Sequence, residues 1–135
     1  MYNNILIPIV LDKETTPQAS YEVAQALAAK DAKFTVLHVM EEIPPFVEFD
    51  VPEEMLQKTR SSTERALAKS AEALQGATAN LIRGHAGRDI LDYAKNNGID
   101  CIVMESHRPG LGDYFLGSTA ARVVRHAACS VHVIR

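Results

Sequence analysis

Short apolar runs alternate with longer amphipathic segments along this chain. The apolar runs have strand length and few interspersed charges, which is typical of strands buried on both faces; they cover residues 5–10, 34–40, 78–83, 101–104 and 131–134. Apolar residues at helical spacing between them predict helices from residue 16 to about 30, and over residues 52–75, 87–97 and 118–127. The pattern therefore alternates strand and helix.

Local signals set the expected ends of these helices. Thr16 is the expected N-cap of the first helix, with Pro17 at its first helical position. Gly76 is a plausible stop for the long helix, and Asn97-Gly98 closes the next one. Residues 42–50, which contain Pro44-Pro45, are expected to form an irregular connection.

Strands joined by helices of these lengths predict right-handed crossovers and a parallel sheet with helices on both faces, a doubly wound α/β fold. Ligands bind such sheets beyond the carboxyl ends of the strands. The candidate loops follow Val10, Met40 and Met104. Pro8 conflicts with a central position for the first strand, unless a bulge or a missing hydrogen bond is tolerated.

Composition indicates one soluble domain, residues 1–135, and a cytoplasmic location. A net charge of −3 and an isoelectric point near 5.9 argue against nucleic acid as the partner. No apolar run approaches membrane-spanning length, and the first residues do not resemble a signal peptide. Cys101 and Cys129 fit no metal or redox spacing and are expected to be buried thiols in a reducing compartment.

The most informative segment is the C-terminal third, where a strand leads through Ser106-His107-Arg108 to Gly117-Ser118-Thr119 at a helix start. Free backbone N–H groups and the helix dipole favour an anion there, and Arg108 could bind phosphate oxygens. The simpler alternatives are that Ser118 or Thr119 is an ordinary N-cap, and that His107 and Arg108 are exposed loop residues.

Other chemistry finds little support. The spacing from Gly112 to Gly117-Ser118-Thr119 resembles a P-loop only superficially, because no Lys precedes the Ser. Ser106 beside His107 lacks an identified orienting carboxylate. The five His residues show no metal-ligand spacing. We therefore expect no catalytic residue, no metal site and no enzyme.

Several segments together resemble the universal stress protein family, and the Ser-His-Arg-Pro loop is similar to its ATP-binding branch. They are Ile5-Leu6-Ile7-Pro8, Leu37-His38-Val39, Ile102-Val103-Met104, Leu116-Gly117-Ser118, Val123-Val124-Arg125-His126-Ala127 and Cys129-Ser130-Val131. The resemblance implies strand order 3-2-1-4-5, a homodimer, and a site for ATP or AMP with Mg²⁺. It implies a nucleotide-responsive stress regulator with slow ATP hydrolysis at most; a regulatory protein partner stays unidentified.

The resemblance also implies a role for each part of the site. The Val39 backbone would receive the adenine edge, with Val10 and Asp12 flanking the adenosine. The ribose and phosphates would be lined by Met104, Glu105, Ser106, His107 and Arg108. The phosphates, and Mg²⁺ with them, would be held from the helix start by Gly117, Ser118, Thr119 and Ala120.

Two positions depart from the nucleotide-binding pattern. Glu105 stands where those members carry the first glycine, and its carboxylate would repel phosphates unless it is turned away or paired. Val10 stands where they usually carry an Asp, although Asp12 could substitute. These departures favour the alternative, a dimeric interaction protein of the same fold whose nucleotide site has lapsed.

The last strand is short, terminal and apolar on both faces. As an edge strand it favours a two-fold dimer through Val131, His132, Val133 and Ile134; the alternative is an edge masked by its own chain. The acidic segment after the second strand, Glu41-Glu42 and residues 44–50, could be a lid over the nucleotide or a surface irregularity.

Overall fold

The computed structural model describes residues 1–12, 16–106 and 116–135, apart from the side chain of Glu48. Its strands are β1 (Tyr2–Pro8), β2 (Ala28–Glu41), β3 (Thr78–Gly84), β4 (Cys101–Glu105) and β5 (Ser130–Ile134). Its helices are α1 (Gln18–Leu27), α2 (Pro45–Glu48), α3 (Glu53–Ala71), α4 (Ala86–Asn96) and α5 (Ser118–His126). The strands pair in parallel in the order β3-β2-β1-β4-β5, which confirms the predicted sheet.

Alternation along the central strands sends side chains into two separate cores. Ile5, Ile7 and Val103 pack on one face of the sheet against α1 and α3. Leu6 and Ile102 pack on the other face against α4 and α5. Because both faces are covered, β1 and β4 read as continuous apolar runs rather than alternating ones.

Pro8 lies in the central strand β1, and the ladder explains why it is tolerated. The Ile9 N–H donates to the Leu37 carbonyl of β2 at 2.8 Å. Adjacent residues of a strand face opposite neighbours, so the missing N–H of Pro8 is on the β4 side. There the register with β4 ends at Leu6–Ile102. The missing N–H of Pro8 therefore coincides with the end of the β1–β4 pairing, and the pairing of β1 with β2 continues past it.

The boundary between α1 and β2 differs from the prediction. The helix ends at Leu27 rather than near residue 30, because Ala28 is already extended and pairs with Tyr2. A register shift follows, and Asp31 adopts a positive φ of 65° within it. Pairing with β1 overrides the helical preference of residues 28–30. The predicted N-cap Thr16 was also wrong, since the capping position is Pro17, with no side-chain cap bond.

Three other boundaries are corrected. The segment predicted to be irregular contains the single-turn helix α2. The long helix ends at Ala71, because tighter bonds such as Leu74 N–H to the Ala71 carbonyl replace the α-helical ones before Gly76, at φ 79°. β1 covers residues 2–8 rather than 5–10, although Ile9 still bonds to β2.

β5 is an edge of the sheet, as predicted. Val131 and Val133 are half-buried and pack toward the α4–α5 core, while Ile134 packs toward the other core. His132 is exposed. Among the helices that the structure describes, none combines the length and the apolar character needed to cross a membrane.

Candidate functional site

A cavity of about 560 Å³ opens at the carboxyl ends of β1, β2 and β4. This volume lies within the usual range for small-molecule sites, about 300–1,000 Å³. Its floor is apolar, formed by side chains such as Ile9, Leu37 and Met104, and its rim is polar. The order of the strands reverses at β1 and β4, so the cavity occupies the place where doubly wound sheets bind ligands.

The N-terminus of α5 forms one wall of this cavity. The first helical bond runs from the Ala121 N–H to the Gly117 carbonyl at 2.8 Å. The N–H groups of residues 118–120 therefore have no partner within the helix. Gly117 occupies the N-cap position and no side chain caps the helix. Ser118 and Thr119 line the cavity instead of capping, so the ordinary N-cap alternative was wrong.

Ser106 holds the start of α5 against the end of β4. The Gly117 N–H donates to the Ser106 Oγ at 2.8 Å. The Ser106 N–H in turn donates to the Ile134 carbonyl of β5 at 2.8 Å. Ser106 thus links two strands and a helix, and it fixes the helix start relative to the sheet.

The N-terminus of α4 also reaches the cavity, but carboxylates already accept two of the N–H groups there. The Ala86 N–H donates to the Glu41 carboxylate at 3.4 Å, and the His85 N–H donates to Asp89 at 2.6 Å. Desolvation opposes ionisation of Asp89, yet hydrogen bonds from Arg88 and His85 hold the pKa of its carboxyl below the usual value. An anion in the cavity is therefore favoured at α5 rather than at α4.

Backbone groups of β2 are exposed where β1 ends. Leu37 directs its carbonyl toward β1, and alternate residues of a strand face the same neighbour, so Val39 faces that side too. The β1–β2 register ends at Pro8–Leu37, before Val39 is reached. The Ile9 carbonyl, the next acceptor of β1, bonds the His38 Nδ1 at 2.9 Å. Since a carbonyl only accepts, this Nδ1 carries the proton.

Glu105 does not point its carboxylate freely into the cavity. Alternation along β4 puts Glu105 on the same face as Cys101 and Val103, next to α1. The buried Ser20 hydroxyl of α1 donates to the Glu105 Oε1 at 2.9 Å. Glu105 also borders a second crevice, beside Gln18 and Arg135. The carboxylate is thus held on the α1 side of the sheet.

The structure brings most of the predicted site residues together. The cavity lining includes Val10, Val39, Met104, Glu105, Ser106, Gly117, Ser118, Thr119 and Ala120. Asp12 is not among them; it borders a neighbouring crevice between α1 and α3, near Tyr21 and Lys69. His107 and Arg108 lie outside the described residues.

Sequence reasoning missed several lining residues. His38 was not among the predicted site residues, but it borders the cavity and bonds the Ile9 carbonyl just beyond β1. Thr63 of α3, together with Ala86 and Ile90 of α4, completes the walls. The pattern of apolar residues gave no signal for Thr63, because only the packing of α3 on the sheet brings it here.

In the described part of the lining, the groups that can donate to an anion are backbone N–H groups, hydroxyls and the imidazole of His38. This part of the lining includes the carboxylates Glu41 and Glu105 and the hydroxyls of Ser106, Ser118 and Thr119, but no Lys or Arg. Within residues 1–12, 16–106 and 116–135, no three His, Cys, Asp or Glu side chains cluster as metal ligands. The arrangement can bind an anion through backbone N–H groups and an apolar group beside it.

Comparisons with known proteins agree with this architecture. The family model described as "Universal stress protein family" matches residues 1–135. A universal stress protein of Thermus aquaticus is 32% identical over 140 residues, covering 100% of both chains. The structure of the universal stress protein UspA from Lactobacillus plantarum is 28% identical and superimposes with a TM-score of 0.71, covering 99% of this chain and 98% of that one.

A further solved structure shares the fold at lower identity. The universal stress protein from Archaeoglobus fulgidus, solved in complex with dAMP, is 16% identical with a TM-score of 0.66, and the match covers 99% of this chain and 98% of that one. The match of the family model over every residue, together with the Thermus relative, places this chain in the universal stress protein family.

Proposed function

We propose that this protein binds an adenine nucleotide, ATP or AMP, in the cavity at the carboxyl ends of the strands. The observation that carries the proposal is the N-terminus of α5, whose residues 117–120 line that cavity and have no capping side chain. We further propose that the nucleotide regulates the activity of a cytoplasmic homodimer. The regulated process would depend on a protein partner.

The phosphates would bind at α5. The N–H groups of residues 118–120, the hydroxyls of Ser118 and Thr119, and the helix dipole all favour negative charge there. Gly117 permits close approach because it has no side chain on the cavity side. The Ser-His-Arg-Pro loop begins at Ser106, and its next residues, His107 and Arg108, would add contacts to the phosphates, in keeping with the ATP-binding branch of the family.

The adenine would bind at the other end of the cavity, against β2. The backbone N–H and carbonyl of Val39 face the side of β2 on which β1 lies, but the pairing with β1 ends before Val39. One donor and one acceptor there suit the donor and acceptor edge of adenine. Apolar side chains of Ile9 and Ile90 lie nearby to cover the faces of the base. Val10, which is largely exposed, would border the adenosine.

Glu105 is compatible with this site because Ser20 binds its carboxylate on the α1 side. The residual repulsion of the phosphates is weakened by distance and solvent. Mg²⁺ would enter with the nucleotide and be held by phosphate oxygens and water, as this ion prefers. We expect ATP hydrolysis to be slow at most.

The comparisons support the proposal at the level of the fold. The Archaeoglobus fulgidus protein, whose structure shares this architecture, was solved with dAMP. An adenine nucleotide is therefore a ligand that the fold can hold, and the α5 geometry provides the reason in this chain.

The second candidate function is a dimeric interaction protein whose nucleotide site has lapsed. Val10 favours it, because it places a valine where nucleotide-binding members usually carry an Asp. The position of Asp12 at a neighbouring crevice, rather than in the cavity, strengthens this alternative. Losing one charge-assisted hydrogen bond would weaken binding by roughly 1.5–3 kcal/mol, about one to two orders of magnitude in affinity.

Calorimetric titration of the purified protein with ATP and with AMP, each with and without Mg²⁺, tests the proposal. We expect a dissociation constant below about 1 mM for at least one nucleotide. The critical variant is Gly117→Val, whose branched side chain would obstruct the approach of phosphates to α5. We expect it to weaken binding at least about tenfold, or roughly 1.4 kcal/mol.

Gly117→Ala is the matched control. Gly117 has a φ of −58°, which any residue adopts, and an added Cβ would meet only the Ser106 Oγ at 3.6 Å. Both variants should therefore fold, and the alanine variant should bind more tightly than the valine variant. No heat signal for ATP or AMP at millimolar concentration, and no nucleotide released from the denatured protein, would overturn the nucleotide-binding proposal.

A further inference from the structure

The connection between β2 and α3 exposes large apolar side chains. Phe46 is 76% exposed, Phe49 is 91% exposed, and Met55 at the start of α3 is 59% exposed. A phenylalanine buries about 200 Å² when packed, so these two rings alone leave roughly 300 Å² in water. An exposed apolar patch of a few hundred square ångströms is often an interaction site.

Prolines hold this segment in a defined shape. Pro44 precedes α2, Pro45 begins it, and Pro52 occupies the N-cap position of α3. Phe46 and Phe49 are three residues apart across the turn of α2, a spacing that brings side chains to the same side of a helix. A binding partner would meet apolar groups that are already arranged, so little conformational entropy is lost on binding.

The same segment concentrates negative charge. Residues 41–55 contain six carboxylates, Glu41, Glu42, Glu48, Asp50, Glu53 and Glu54, and no Lys or Arg. All 14 basic residues of the chain lie elsewhere, where they outnumber the remaining acidic residues. Among the ion pairs of the described residues, only the one between Glu54 and Lys58 involves this segment. Arg60 and Arg83 border a crevice with Glu53, and Arg88 interacts electrostatically with Glu42, so basic side chains flank part of this segment. The segment itself still carries six acidic residues and no basic one.

We propose that residues 41–55, here called the 41–55 surface, bind a cationic amphipathic helical segment of another protein. The phenylalanines and Met55 would receive its apolar face, and the surrounding carboxylates would pair with its Lys and Arg residues. Charge complementarity selects this occupant over a second copy of the chain, since two such acidic surfaces would repel each other. The proposal does not depend on nucleotide binding.

The test uses a fluorescein-labelled peptide of about 18 residues, built from Leu and Lys as an amphipathic helix, and a counterpart in which Glu replaces Lys. Fluorescence anisotropy measures binding to the full-length protein at low and at physiological salt. We expect binding of the Lys peptide that weakens with salt, and at least tenfold weaker binding of the Glu peptide.

Two variants locate the binding surface. Phe46→Ser/Phe49→Ser should weaken binding of the Lys peptide at least tenfold, whereas Val124→Ser, at an exposed valine of α5, should not. Asp50→Asn/Glu53→Gln should weaken binding and flatten its salt dependence, whereas Glu72→Gln/Asp92→Asn should do neither. All these positions are exposed, so the folded chain is kept.

Three results would overturn the proposal. Equal binding of the two peptides, or binding unaffected by the phenylalanine variant, would show that the 41–55 surface is not the docking site. Loss of self-association in Phe46→Ser/Phe49→Ser, seen by sedimentation, would assign the surface to a second copy of the chain. A tenfold loss of ATP affinity in that variant, without loss of peptide binding, would identify the segment as a lid over the cavity.

Discussion

Hydrogen bonds of individual polar residues fix the positions of groups around the cavity at the strand ends. Ser106 binds the Gly117 N–H and so aligns the start of α5. Ser20, buried under α1, binds Glu105 and keeps a carboxylate at the side of the site. His38 occupies the last acceptor of β1. Each acts through one hydrogen bond whose partner is remote in sequence.

The residue-scale prediction concerns Glu105→Gln. The amide oxygen can still accept the Ser20 hydroxyl, so the fold is kept while one negative charge beside the cavity is removed. We expect ATP to bind about two- to fivefold more tightly at low salt, with a smaller gain at high salt. Calorimetry measures the change.

Glu72→Gln, at an exposed position just beyond α3, removes the same charge far from the site and serves as the control. Equal gains in both variants would mean that only net charge matters. A loss of affinity in Glu105→Gln would show that the carboxylate takes part in binding, for instance through Mg²⁺.

At the scale of elements, two helix N-termini meet the cavity in different states. α4 is supplied with carboxylates of its own, Glu41 and Asp89. α5 has Gly117 at its N-cap and no capping side chain. Among the described residues, no side chain caps α5, so its first N–H groups lack carboxylate partners like those of α4.

Asp89→Asn tests the α4 terminus. The variant keeps a polar side chain but loses the charge that accepts the His85 N–H and pairs with Arg88 at 3.2 Å. We expect a loss of about 1 kcal/mol in the free energy of unfolding at pH 7. Urea denaturation, with Asp92→Asn as a control at an exposed position of the same helix, measures it.

The effect of Asp89 should depend on pH in a defined direction. Its pKa in the folded protein is lower than in the unfolded chain, where it is near 3.9. Its stabilisation is therefore complete above about pH 5 and is lost as the pH falls through the folded pKa. The difference between wild type and Asp89→Asn should shrink toward pH 3. A difference that grows with acidification would contradict this assignment.

At the scale of the whole molecule, hydrogen bonds join the start of β1 to the segment that leads into β4. The Asp100 carboxylate, just before β4, accepts the N–H groups of Asn3 and Asn4 at 2.8 and 3.0 Å. The Asn4 side chain in turn donates to the carbonyls of Asn97 and Gly98. These bonds align the N-terminal ends of β1 and β4, at the end of the sheet opposite the cavity.

Asp100→Ala should destabilise the whole fold. It removes two hydrogen bonds to a charged group and leaves two backbone donors of β1 without that partner. We expect a loss of about 2 kcal/mol in the free energy of unfolding. Urea denaturation measures the loss, and Asp92→Ala, at an exposed position of α4, should change stability by less than about 0.5 kcal/mol. Similar losses in both variants would contradict the role given to Asp100.

The proposed homodimer is tested on β5. Two-fold pairing of this edge brings His132 of one subunit near the same residue of the other, so His132→Glu should introduce like-charge repulsion. We expect the dissociation constant of the dimer, measured by sedimentation equilibrium, to increase. His126→Glu, at an exposed position of α5, should not change it. A dimer whose dissociation constant is unchanged by His132→Glu would refute the β5 interface.

The sequence by itself determined the sheet and its helices. Five apolar runs and four amphipathic segments predicted a parallel sheet with helices on both faces, because hydrophobic periodicity reflects burial on two faces and helical crossovers join parallel strands. Gly117-Ser118-Thr119 predicted a helix start with free N–H groups, since the first N–H groups of any helix lack partners, and that start does line the cavity. The family motifs supplied the expected strand order.

Only the tertiary structure decided the details that depend on remote partners. Pairing of Ala28 with Tyr2 ended α1 earlier than predicted. The pairing of β1 with β4 ends at Leu6, before Pro8. The Ser20 hydroxyl binds the Glu105 carboxylate. The segment after β1 places Asp12 at a different crevice from the cavity. Such contacts join residues far apart in the chain. Local propensity carries no information about them, because their energies arise only when the elements pack together.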